Sequence, residues 1–234
     1  MAMELEIIIP ENWKDVRLEH YLKYYRAIKP YQDQEEFNAK LIELAFYHLC
    51  GVEKDVLDKM SLEDFKTVST VLLELLNSGK KQELVKSFEL GDTKYAFITD
   101  IDSMTYGEYV DLVTYSKDVY ENAALMCSIL YRPIVEEHKG EYKIAEYKGT
   151  NENQIQLFYQ KLTMDIVFGA LSFFLHLQTD LLNSTLTYTT QMVKQIVESP
   201  DSTAVQILEQ NGVSMQQLQQ LQEMMSQSLT KSQD

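Results

Sequence analysis

The sequence predicts an α+β protein that is predominantly helical, with a small antiparallel sheet or hairpin packed with a helical bundle, a long C-terminal helix, and a helical or disordered tail. Three observations lead there. Apolar residues recur at helical spacing through most of the first 130 positions; two alternating runs flank a glycine-containing turn at 91–93; and from Asn151 onward the pattern is helical for about four dozen residues. The implied organisation is an α+β region over 1–150, a long helical segment over 151–199 and a Gln/Met-rich tail over 200–234.

Leu5 to Ile9 is rich in β-branched residues and stops at Pro10, which suits a short strand near a sheet edge. A helix follows, with Val16, Leu18, Tyr21, Leu22, Tyr25 and Ile28 on one face and Pro30 at its end, and Trp13 is expected to close over its start. A second helix carries Phe37, Leu41, Ile42, Ala45 and Leu49, with Gly51 where a C-terminal cap belongs. Val52 to Met60 reads as a short helical turn. Ser61 with Asp64 then opens a helix through Phe65, Val68, Leu72 and Leu75, which Asn77-Ser78-Gly79 stops.

Leu84 to Leu90 and Lys94 to Thr99 alternate around Gly91-Asp92-Thr93, the pattern of a hairpin. Asp100, Asp102 and Ser103 read as a loop and cap for the next helix. The stretch Ser103 to Ile134 then reads as a short amphipathic helix, a tight connection and a second apolar helix ending at Tyr131-Arg132-Pro133. Tyr142 to Tyr147 alternates as a strand. The helical pattern from Asn151 runs through Phe158, Leu162 and the apolar run Ile166 to Leu177; Gly169 admits a close backbone approach, and the Thr-rich patch Thr185 to Thr190 is a point of weakness.

The stretch Ser103 to Ile134 has an earlier counterpart. Val16, Leu18, Tyr21 and Leu22 align with Met104, Tyr106, Tyr109 and Val110, and Asn38, Leu41, Ile42 and Tyr47 align with Asn122, Leu125, Met126 and Tyr131. Either a strand-helix-helix unit is used twice, or two amphipathic helix pairs align by pattern alone.

Composition limits the chemistry. A formal charge of -15, from 36 acidic against 21 basic side chains, argues against a phosphate-backbone partner or an anionic membrane surface. Cys50 and Cys127 sit among apolar residues and read as small core hydrophobes in a reducing compartment. The N-terminal MAMELEIIIPENW lacks the basic flank and apolar run of a signal peptide, so a cytosolic location is expected. The longest apolar run is about 12 residues, short of the roughly 20 a spanning helix needs.

No catalytic constellation, metal-ligand spacing or cofactor loop is legible. His20, His48, His138 and His176 fall in no ligand motif, the eight glycines form no phosphate loop, and Glu35-Glu36 and Glu136-Glu137 read as solvated surface. The expectation is a non-enzymatic protein without cofactor or metal. Arg132, at a helix end beside Tyr131, is a candidate for binding exposed carbonyls, an acidic neighbour or a partner. The 15 tyrosines supply apolar area with a polar tip, a composition suited to contact surfaces. In the tail, Leu218, Leu221, Met224 and Met225 are spaced as one narrow apolar stripe, expected to fold against a partner.

The segments IIIPENWKDVRLEHYLKYY, LIELAFYHLCGVEKDVLDKMSLEDF and TYGEYVDLVTYSKDVYENAALMCSILYRPI, with the later FGALSFFLHL, resemble small helical proteins encoded among the virion and tail genes of tailed bacteriophages. The likeness spans roughly residues 5 to 190 and includes Trp13, Tyr109, Asp111, Tyr131, Arg132 and Pro133. It implies a tail assembly chaperone or small structural protein, with tail or portal components as partners and a homo-oligomer in the structural case. The implied location is the host cytoplasm during assembly, or the virion for a structural component. It supplies no catalytic residues. A different class, an acidic phage inhibitor of a host protein, fits the charge as well.

Overall fold

The structure, a computed structural model, describes residues 7–78, 82–98, 104–138 and 141–179, together with Gln191. It is an α+β fold whose described strands form a four-stranded antiparallel sheet in the order β1-β2-β3-β4. By packing, the chain divides into two units, Met1–Phe173 and Phe174–Asp234.

Most of the expected helices form where apolar spacing placed them. Helix α1 is Leu18–Ile28, burying Leu18, Tyr21, Leu22, Tyr24 and Ile28, and Pro30 falls in the 3-10 turn that follows. Helix α2, Phe37–Leu49, ends at Gly51, whose φ of 68° lets the Val52 N–H return to the Phe46 carbonyl at 3.0 Å. After the short α3, Lys54–Leu57, helix α4 is Leu62–Asn77, capped by Ser61, whose side chain accepts from the Asp64 N–H. Trp13 is buried against Tyr21 and Phe168 in edge-to-face geometry and donates its indole N–H to Ser78 Oγ at 3.1 Å.

The hairpin also forms, with β1 at Ser87–Leu90, β2 at Thr93–Phe97 and Gly91 at φ 59° in the turn. Helices α5, Tyr106–Tyr115, and α6, Ala123–Leu130, follow and pack on each other. Helix α5 is capped by Thr105; Asp100 to Ser103, read from the sequence as its loop and cap, lie outside the described residues.

Three expectations fail. Residues 7–10 carry no strand pairing, and Ile8 is 81% exposed, so the first helix pair lacks a described strand before it. The second apolar helix does not reach Ile134: the chain turns extended at Tyr131 and becomes β3, Tyr131–His138, which pairs with both β2 and β4, Glu141–Ile144. Pro133 is tolerated inside β3 because it falls at the end of the β3–β4 ladder, which starts at Ile134↔Ile144; its carbonyl accepts from the Ala145 N–H at 2.8 Å.

The third concerns the long C-terminal helix. Helix α7, Glu152–Lys161, ends where Leu162 turns extended, and helix α8 covers 164–179. At the break, Thr163 bridges Arg17, with Leu18 N–H to Leu162 O and Met164 N–H to Val16 O, each 2.8 Å. Two short segments thus satisfy the backbone groups that both helix ends expose. The expected weak point, Thr185 to Thr190, lies outside the described residues, as does the tail with Leu218, Leu221, Met224 and Met225.

The packing boundary therefore lies at Phe173, not at residue 150. Helix α7 and the first part of α8 belong to the core of the first unit: Phe158 meets Phe88 and Tyr95, Phe173 meets Phe97, and Phe168 meets Trp13 and Tyr21. In the second unit the described residues 174–179 are helical, with Thr179 Oγ1 donating to the Leu175 carbonyl at 2.9 Å.

Candidate functional site

Alternation along β3 sends consecutive side chains to opposite sides of the sheet. Tyr131 goes inward with Phe97 and Phe88, is fully buried, and donates its hydroxyl to the Val85 carbonyl at 2.7 Å. Burial holds that phenol well above the ordinary tyrosine range, with Cys127 and Asp165 adding to the shift. Tyr131 is thus a core residue, and its expected place at an interface is corrected by its burial.

Arg132, the next residue, meets α5. Its Nη2 stands 2.9 Å from Glu108 Oε1, with side-chain exposures of 14% and 3%. The other Glu108 oxygen, Oε2, accepts from the Thr105 N–H and the Thr105 hydroxyl, both at 2.6 Å, while Thr105 Oγ1 accepts from the Glu108 N–H in a reciprocal capping box. One buried carboxylate therefore closes the start of α5 and neutralises the strand arginine. The approach of Nη2 to Oε1 lies outside hydrogen-bonding angles, and Arg132 Nε is buried without a hydrogen-bond partner among the described residues.

Arg132 also lines a cleft of about 380 Å³. Ser128 and Pro133 extend its wall, the segment 145–150 forms its rim, and Asn151 and Gln154 of the α7 start complete it. Each of these is held by its own contacts. Gln154 Nε2 donates to the Tyr131 carbonyl at 2.9 Å, Asn151 Oδ1 accepts from the Asn153 and Gln154 N–H groups, and Tyr147 donates its hydroxyl to Asp111 Oδ2 at 2.6 Å. Burial raises the Tyr147 phenol, and the hydrogen bond to Asp111 raises it further.

A second feature lies on α5 itself. Tyr106, Val110 and Val113 follow one another at helical spacing on one face and are 82%, 38% and 37% exposed. The sequence reading grouped Tyr106 with the helix pattern but did not single out this face.

The remaining candidates divide plainly. Cys127 is buried and its thiol is pushed up to about 12, and Cys50, half-buried, to about 11, in both cases by burial. His48 is shifted below the ordinary histidine range by burial, then by Lys23 and His20. Among the described residues no group of three or more His, Cys, Asp or Glu is placed to hold a metal ion, and no helix is long and apolar enough to cross a membrane. Glu108 is the site residue that sequence reasoning missed, although Thr105 and Glu108 carry the spacing of a capping box just before an apolar run.

No protein-family model matches the chain, and no curated protein and no solved structure matches it.

Proposed function

We propose that this protein is a non-enzymatic bacteriophage protein that acts in tail or virion assembly by protein–protein contact, in the manner of a tail assembly chaperone. The observation that carries the reading is the exposed apolar face of α5, Tyr106, Val110 and Val113, within the segment that resembles phage tail proteins. A tyrosine 82% exposed beside two valines is apolar area left on the surface of a chain that is otherwise strongly acidic. In this reading the face covers an apolar surface of a tail component until that component is assembled, and the net charge keeps the complex soluble.

The structural alternative, a portal or tail ring subunit, follows from the same resemblance. Mass spectrometry separates the two. A chaperone is recovered with tail intermediates and is missing from purified mature particles; stoichiometric recovery in mature particles overturns the chaperone reading and supports the structural one.

A further inference from the structure

We propose that the outer edge of β4 pairs with the same edge of a second copy of this chain, in an antiparallel register centred on Tyr142. Strand β4 stands at the end of the described strand order and pairs with β3 on one side only. Its backbone directions follow from one hydrogen bond: the Ala145 N–H turns inward to the Pro133 carbonyl at 2.8 Å. Main-chain groups alternate between the two sides of an antiparallel strand, so Lys143 and Glu141 also turn inward, and Tyr142 and Ile144 turn outward. The irregularity between Ile134 and Glu136 lies in β3 and leaves this alternation in β4 unbroken. Tyr142 and Ile144 thus face Glu137 and Ile134 as pairs without ladder hydrogen bonds, and among the described residues no other element bonds to their main chain. An edge of this kind is a template for another strand.

Charge selects both the occupant and the register. Glu141 and Lys143 are exposed, two residues apart, and therefore on one face of the sheet. Lys143 is 67% exposed, and its ion pair with Glu136 is stretched to 4.0 Å. When two copies of β4 run antiparallel with Tyr142 opposite Tyr142, Glu141 of each copy faces Lys143 of the other, and two opposite-charge pairs flank the axis. Centring on Glu141 or Lys143 sets like charges face to face, and centring on Ile144 sets Lys143 opposite Ala145. Only the Tyr142 register is electrostatically self-complementary. There the outward N–H and C=O groups of the two Tyr142 residues form a hydrogen-bonded pair, and the two four-stranded sheets become continuous.

A formal charge of -15 on each copy opposes self-association at long range, so these short contacts must carry it. A strand of four residues buries little area, which makes the association weak and reversible. The contact is separate from the α5 face and is tested on purified protein alone, so its failure leaves the assembly role untouched.

The test is sedimentation equilibrium of the full-length protein at up to about 1 mM and about 0.15 M salt, where charges beyond roughly 8 Å are screened. The wild type is expected to form a concentration-dependent dimer. Lys143→Glu and Glu141→Lys are each expected to weaken it by about tenfold, and the two together, which restore opposite charges across the axis, to return it to within about threefold of the wild type. The single variants change the net charge in opposite directions, so weakening by both is not general repulsion. Both side chains are exposed, and far-UV circular dichroism checks that each variant keeps its fold. A wild type that stays monomeric, a dimer that neither single reversal weakens, or a loss that the double variant fails to recover overturns the proposal.

Discussion

Arg132 Nη2 lies 2.9 Å from Glu108 Oε1, joining the start of β3 to the first turn of α5 in an almost dry environment. An ion pair so placed is weak evidence of net stabilisation, yet breaking it strands a charge. Arg132→Met is expected to lower stability by about 3 kcal/mol, since Glu108 is left buried and unpaired. Adding Glu108→Gln should recover most of that loss, because the remaining amide still accepts from Thr105. Urea denaturation of the two single variants and the double variant measures the coupling; additive losses would refute it.

Gly169 is fixed by a close approach. A Cβ at this position would lie 2.6 Å from the Glu83 carbonyl oxygen and 3.3 Å from Leu84 Cα, both backbone atoms. Gly169→Ala gains up to about 1 kcal/mol of helix propensity but forces the 83–84 segment away. A net loss of about 1–2 kcal/mol is expected in thermal or urea unfolding; a gain in stability would mean that the segment yields freely.

Most of the helical layer was legible because it follows from apolar spacing and local caps, as at Leu18–Ile28 and at Ser61 with Asp64. The errors lie where tertiary pairing overrides local pattern. LMCSILYRPI continues a helical apolar run, and Pro133 reads as a helix terminator, so nothing local marks Tyr131 as the first residue of the strand between β2 and β4. Likewise Leu162 and Thr163 break a helical pattern only because Arg17 and its neighbours pair with them. At the cleft, Arg132 stood out in the sequence, but its partner Glu108 is set by the sheet, which brings α5 over β3.

Several tyrosines make the fold sensitive to alkali. Burial raises the folded-state values of Tyr21, Tyr24 and Tyr131 above the ordinary 10.0. The unfolded chain therefore releases these protons first, so their contribution is fully present below about pH 10 and is lost as pH rises beyond it. Tyrosinate absorbance should show Tyr21, Tyr24 and Tyr131 ionising only together with loss of the far-UV signal. Smooth titration of all the tyrosines with the fold intact would contradict this.

The two thiols should differ in order of reaction. Cys50 is half-buried and Cys127 fully buried, with both thiols raised, so neither is a ready thiolate at pH 8. Aromatic disulfide reagents are expected to modify Cys50 slowly and Cys127 only on unfolding. Rapid stoichiometric labelling of both in the native protein would show the α6 core to be open.

The contact role rests on the α5 face, and Tyr106→Ser with Val110→Ser tests it. Both side chains are exposed, so the substitutions should leave stability nearly unchanged while removing apolar area from the surface. The decisive measurement is quantitative affinity purification of the wild type and this double variant from phage-infected cells. A tail or portal component recovered with the wild type and lost with the variant is the predicted result; equal recovery, or recovery of no virion protein with either, would contradict the account.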